Sequence, residues 1–124
     1  MSDLKRNLIE LITNPEEVAE GGEVETKKYW TPPFIPLKLL YQALDLVQEI
    51  DDFNAGKLET KESKLIEKMG DFVANDIYQK QFTREQLENG LHAPDAVVSL
   101  QEQITFISQG RFSKAAKEFQ ARKD

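Results

Sequence analysis

No cysteine occurs in the 124 residues, and histidine occurs once, as His92. The first absence excludes disulfides, thiolate zinc sites, iron–sulfur clusters and cysteine nucleophiles together, and it suits a reducing compartment. The second excludes a two-histidine metal site within one chain. No apolar run approaches the roughly 20 residues needed to span a bilayer. The opening Met1–Arg6 carries no apolar signal core ending in small residues. Positive charge is in deficit, with 16 Lys and Arg against 22 Asp and Glu and a net charge of −6. A chain of this balance lacks the broad basic footprint of a nucleic-acid binder and is repelled by an anionic membrane surface. The expectation is a soluble, intracellular protein with neither nucleic acid nor membrane as partner. No Gly-rich phosphate cradle exists either, because Gly21-Gly22 is flanked by glutamates. Internal repeats, low-complexity stretches and long linkers are absent as well.

What is present suffices for one modest core. Apolar residues make up 40% of the chain, and a domain of this size buries roughly two-thirds of its unfolded surface without staples. We expect a single domain over 1–124, divided into a hairpin (1–31), a Pro-rich connector (32–36), a helical core (37–110) and a basic C-terminal tail (111–124). Residues 24–31 hold Val24, Thr26, Tyr29, Trp30 and Thr31, which favour strands. A lone strand cannot satisfy its backbone. The nearby partner is 4–12, whose Leu4, Leu8, Leu11 and Ile12 also fit a helix face. Pairing decides for a two-stranded hairpin, closed by an acidic, Gly-rich loop from Asn14 to Glu23. Three of the chain's five prolines follow, as Pro32, Pro33 and Pro36. They forbid regular helix and make a stiff, extended connector, with Pro36 placed as first residue of the next helix.

That helix should run from Pro36 to Phe53 and is apolar over most of its girth. One stripe is Leu37, Leu40, Tyr41, Leu44, Val47 and Ile50; another is Leu39, Ala43, Leu46, Ile50 and Phe53. Such a helix is either central to the core or shared with a partner. A second helix is expected from Thr60 to Gln79, burying Leu65, Met69, Phe72, Val73 and Ile77, with Gly70 packed closely against another helix. Thr83 and Gln86 form a capping-box signature for a short helix over 84–89, ended by Gly90. His92–Asp95 turns the chain into a further helix, which buries Val97, Leu100, Ile104 and Ile107 and stops at Gly110. In the tail Arg111, Lys114, Lys117, Arg122 and Lys123 outweigh Glu118 and Asp124, and Ser113 caps a last, weakly apolar helix. The fold class is therefore α+β, mostly α: an N-terminal β-hairpin followed by a bundle of four to five helices.

Catalytic chemistry finds little to work with. His92 beside Asp95 reads as a turn residue rather than a general base. The acidic cluster Asp45, Glu49, Asp51 and Asp52 lacks the alternation and distal glutamate of a calcium loop, so it reads as a solvated helix end. No catalytic, cofactor-binding or metal-ligating residues are assigned, and the expectation is a non-enzyme without cofactor. The remaining feature is apolar surface. Leu40, Leu44 and Val47 read as core, whereas for Trp30, Phe34 and Leu39 a partner surface and burial are equal readings. Candidate partner-binding residues are Trp30, Phe34, Leu37, Leu39 and Tyr41, with Asp45 and Glu49 set to pair with basic groups of a partner.

Several collinear segments carry a resemblance. Thr31–Pro36 followed by Leu40–Leu46, together with Leu4–Ile9, Ile77-Tyr78, Gln81–Thr83, Leu91–Asp95 and Gln103–Gly110, resembles tail assembly chaperones of long-tailed, siphovirus-type bacteriophages or prophages of Gram-positive hosts. The resemblance implies a non-enzymatic protein of the host cytoplasm. It would coat the tape measure protein before the tail tube polymerises, keep it soluble, and be absent from the mature virion. It also implies a longer form, made by ribosomal frameshift, that recruits the tail tube protein. Many copies covering one long client imply a homo-oligomer. The alternative is a structural virion component, such as a small connector or minor tail protein, which would remain in purified particles.

Overall fold

A computed structural model describes residues 6–108. Strands β1 (Leu8–Ile12) and β2 (Thr26–Trp30) pair antiparallel, with Leu8 opposite Trp30 and Ile12 opposite Thr26. The pairing requirement outweighs the helical spacing of 4–12, as expected. Alternation then sorts the side chains. Ile9 and Leu11 are buried and Tyr29 packs against the core, whereas Glu10, Thr26 and Lys28 face outward. The intervening loop departs from the sequence reading because it contains a short helix, α1 (Pro15–Ala19). Pro15 needs no N–H partner at a helix start. Asn14 closes the loop by donating from Nδ2 to the Glu23 carbonyl at 2.8 Å and accepting from the Glu25 N–H at 2.9 Å.

Residue alternation continues past β2. Thr31 is fully buried; its hydroxyl accepts from the Asn7 N–H at 3.0 Å, and its carbonyl accepts two bonds from the Arg6 guanidinium at 2.9 and 2.7 Å. The connector is thus anchored at its first residue. Further along, Ile35 packs on the core while Phe34 stands outside.

Helix α2 (Leu37–Asn54) begins one residue later than expected, and Pro36 is its N-cap rather than its first residue. Of the two stripes, Leu39, Ala43, Leu46 and Ile50 form the buried one, joined by Val47. Leu40 and Leu44, expected in the core, lie half-buried at its flank, and Phe53 is half-buried too. The stripes lie on different sides of the helix, and α3 and α5 can cover only one.

The long second helix is two structures. Helix α3 (Glu62–Asp71) passes without a break into a π-helical segment, Phe72–Ile77. The wider turn carries Val73, Ala74, Ile77 and Tyr78 to zero exposure together. The segment ends at Gln79 and Lys80, both in left-handed backbone with φ of 50° and 65°. Gly70 is buried on the α4 side, where an added methyl would meet Arg84 Cγ and Leu87 Cδ2 at 3.7 Å, an ordinary contact. Space therefore does not require glycine. Gly70→Ala should raise stability by about 0.5–1 kcal/mol through helix propensity, read as a higher urea midpoint.

Helix α4 (Arg84–Gly90) carries the full capping box expected of Thr83 and Gln86. Helix α5 (Ala93–Ser108) contacts α2, α3 and the π segment, so it is the central helix of the core. Its Leu100, Ile104 and Ile107 are buried, and Val97 is half-buried. The expected stop at Gly110, the last helix and the basic tail lie outside the described residues. The architecture is α+β, mostly α, with the hairpin first and the helices after it.

One polar knot ties the two ends of this core. Gln103, buried on α5, accepts from the Tyr78 hydroxyl at 2.5 Å and from Asn7 Nδ2 at 3.3 Å. It also donates from Nε2 to the Leu8 carbonyl at 3.0 Å. Burial pushes the Tyr78 hydroxyl well above its ordinary pKa, so it stays a donor. Phe82 packs beside it, edge-on to Tyr29 with ring centres 4.8 Å apart and tilted against Tyr78 at 5.2 Å.

Candidate functional site

Four of the five apolar candidates are outside the core. Phe34 is 65% exposed, Leu37 61%, Tyr41 60% and Trp30 48%, values far above those of ordinary packed residues. Leu39 is not among them. At 6% exposure it belongs to the buried stripe of α2, so it can support a binding surface but not touch a partner. Leu37 and Tyr41 are four residues apart and therefore share one face, about 6 Å apart along the helix. Phe34 precedes this face in the connector, within a run whose φ angles are restrained by Pro32, Pro33 and Pro36.

The acidic candidates continue α2 toward its C-terminal half. Asp45 and Glu49 line a groove of about 380 Å³ between α2 and the α3–π rod, together with Gln42, Lys68, Asp71 and Asp76. Lys68 Nζ lies 2.7 Å from Glu49 Oε1, so one of these carboxylates already has a cation. Asp71 is likewise held by Arg84 at 3.2 Å. Asp45 is exposed and is the acidic candidate best placed for a basic group from outside. Sequence reasoning did not bring Asp71 and Asp76 to this groove. Their signal was present, as two acids five residues apart beside Phe72, but only packing shows that they face α2.

Trp30 belongs to a different concavity. It lines a groove of about 600 Å³ with Arg6, Lys27, Lys28, Pro32 and Pro33. Thus the candidates form three adjoining features: an apolar face from Phe34 through Tyr41, an acidic groove beyond it, and a basic, aromatic groove at the hairpin.

No group of three or more Asp, Glu or His side chains among the described residues is arranged to hold a metal ion. His92 is exposed, and its carbonyl accepts from the Asp95 N–H at 2.9 Å at the start of α5. No helix among the described residues is long and apolar enough to cross a membrane. Among the described residues the site offers exposed apolar and charged surface of a size that suits a macromolecule.

Contiguous exposed apolar surface of this kind suits a macromolecular partner. The family model described as phage tail chaperone protein matches residues 3–124, and the chain belongs to that family. Comparison with curated proteins and with solved structures gave no match. Membership makes the chain a chaperone of phage tail assembly, with tail proteins as its partners, and points to a non-enzymatic role.

Proposed function

We propose that this chaperone binds the tape measure protein of a long-tailed phage of Gram-positive bacteria and keeps it soluble until the tail tube forms. The observation that carries the reading is the exposed apolar face of Phe34, Leu37 and Tyr41, on a stiff connector and the first turns of α2. A tape measure protein is long, largely helical and apolar in parts. Its unassembled form needs that apolar stripe shielded from water, and an amphipathic helix laid along aromatic and aliphatic anchors achieves this. Trp30 extends the apolar face at the hairpin side. Asp45, and Glu49 within its pair with Lys68, supply negative charge to basic residues of the client. The prolines hold the anchors with little conformational entropy left to lose on binding.

The rest of the reading follows from assembly. Several copies would line one client, so the chain works as a homo-oligomer. A frameshifted longer form would bring the tail tube protein. The chaperone would act in the host cytoplasm, leave before the virion is complete, and catalyse no reaction.

The test is co-expression of the tape measure protein with wild type, Phe34→Ala or Tyr41→Ala. Both positions are exposed, so circular dichroism and thermal unfolding should match wild type. Loss of one anchor should weaken binding by about 2 kcal/mol, roughly 30-fold in Kd. Tape measure protein should then move to the insoluble fraction. Folded variants that keep it soluble as well as wild type does would show that the face is not the client site.

A further inference from the structure

Strand β2 has a partner on one side only. Glu10 faces Lys28 and Ile12 faces Thr26 in the register. Bonds at the flanking pairs, from Thr31 N–H to the Asn7 carbonyl at 2.9 Å and from Thr13 N–H to the Glu25 carbonyl at 2.8 Å, set the alternation. Odd-numbered residues of β2 exchange bonds with β1, so the N–H and C=O groups of Thr26 and Lys28 point to the other edge. No strand covers that edge among the described residues. The Trp30 carbonyl, on the same edge, already accepts from Gln81 Nε2 at 2.7 Å, so a donor arriving from this side is well received.

The charge along this edge is the reverse of the chain's. The net charge is −6, yet Arg6, Lys27 and Lys28 line the adjoining groove and no carboxylate does. Arg6 is fixed by two bonds to the Thr31 carbonyl and lies 5.9 Å from the Trp30 ring centre; Lys27 Nζ lies 5.0 Å from that of Tyr29. None of these three cations pairs with a carboxylate among the described residues. Across the hairpin from Lys28, the Glu10 carboxylate accepts the Thr26 hydroxyl.

We propose that the outer edge of β2 binds an extended, acidic segment of a partner protein by strand addition. Backbone bonds to Thr26 and Lys28 give the segment its direction, and the three cations select acidic side chains. Lysine on a free edge also discourages indiscriminate pairing. Two β2 edges brought together would face lysines with lysines, so the same residues that reject a second copy admit a strand of opposite charge. A peptide backbone matches the alternating donors and acceptors of the edge, which a sugar–phosphate chain does not. This surface is separate from the α2 face proposed for the tape measure protein, with Trp30 at their border, and the two proposals stand or fall independently.

The probe is a fluorescein-labelled eight-residue peptide of alternating glutamate and valine, titrated with the full chain at low salt and followed by anisotropy. Binding is expected, and it should weaken as salt rises. Methylating alternate backbone nitrogens of the peptide on its pairing edge should weaken it at least tenfold. Lys28→Glu should weaken the acidic peptide at least tenfold and favour an alternating lysine–valine peptide. Thr26→Pro keeps every cation and every backbone bond to β1; it removes one outward N–H, together with the exposed hydroxyl bond to Glu10, so it should weaken binding severalfold. It decides the matter even if Lys28→Glu fails to fold. No binding by wild type, equal binding of the N-methylated peptide, or tighter binding of an oligothymidylate of the same length would each overturn the proposal.

Discussion

Phe82→Ala should lower stability by about 3–5 kcal/mol, the largest loss expected from any single truncation in this core. Phe82 is 1% exposed although it lies between elements, in the turn that joins the π segment to α4. Its ring is held on two sides by Tyr29 and Tyr78. Those neighbours cannot close the gap, because Tyr29 is fixed in the hairpin ladder and Tyr78 is tied through its hydroxyl to Gln103. A cavity therefore remains, and the cost includes both lost burial and lost ring contacts. Urea unfolding would show it as a large fall in midpoint with little change in slope. Phe34→Ala is the internal comparison: the same substitution at an exposed ring should leave stability within about 0.5 kcal/mol of wild type. Equal losses at the two positions would mean that the division between core and surface described above is wrong.

Gln103→Leu should cost about 3 kcal/mol, although leucine has nearly the same size and suits an apolar core. The amide serves three groups at once, the Tyr78 hydroxyl, the Asn7 side chain and the Leu8 carbonyl. Leucine would leave all three without a partner, and each buried polar group without one costs about 1–3 kcal/mol. Tyr78→Phe removes only one donor and should cost about 1 kcal/mol. Adding Tyr78→Phe to Gln103→Leu should then cost less than the sum, since the hydroxyl left stranded is gone. Strict additivity in urea unfolding would show that these side chains do not act as a unit.

The parts of this fold legible in the sequence are those set by local chemistry. Thr83 and Gln86 form their capping box because both partners lie within one turn. The hairpin was readable because a segment with strand chemistry needs a neighbour, and only 4–12 was near. What escaped was decided at a distance. The sequence shows two apolar stripes on α2 but not which one α3 and α5 cover; hence Leu40 and Leu44 were expected inside and are half-buried, while Leu39 is inside. The π segment has no sequence signal in Phe72–Ile77. Gly90 was legible as a helix stop, but its stronger reason is contact with β1, where an added Cβ would sit 3.0 Å from the Ile12 carbonyl oxygen and from Leu11 Cβ. Of the candidate site, Phe34, Leu37 and Tyr41 could be named because large apolar residues beside a run of prolines are conspicuous. The basic groove could not, because Arg6 meets Lys27 and Lys28 only once β1 and β2 pair.

The Gln103 knot also sets a timetable for synthesis. Leu8 and Gln103 are 95 positions apart, and Asn7 and Gln103 are 96 apart. A ribosome adding about 5–20 residues per second leaves the Leu8 carbonyl waiting roughly 5–20 s for its partner to be translated. During that interval the Leu8 carbonyl lacks its partner, and the inner face of the hairpin, Ile9 and Leu11, stays wet until the helices that pack on it, α4 among them, have been made. Native structure cannot build steadily from the N-terminus; it must be completed late, when α5 emerges and closes over both ends of the core. A newly made chaperone is thus briefly a chain with exposed apolar surface, in the same predicament as the client proposed for it.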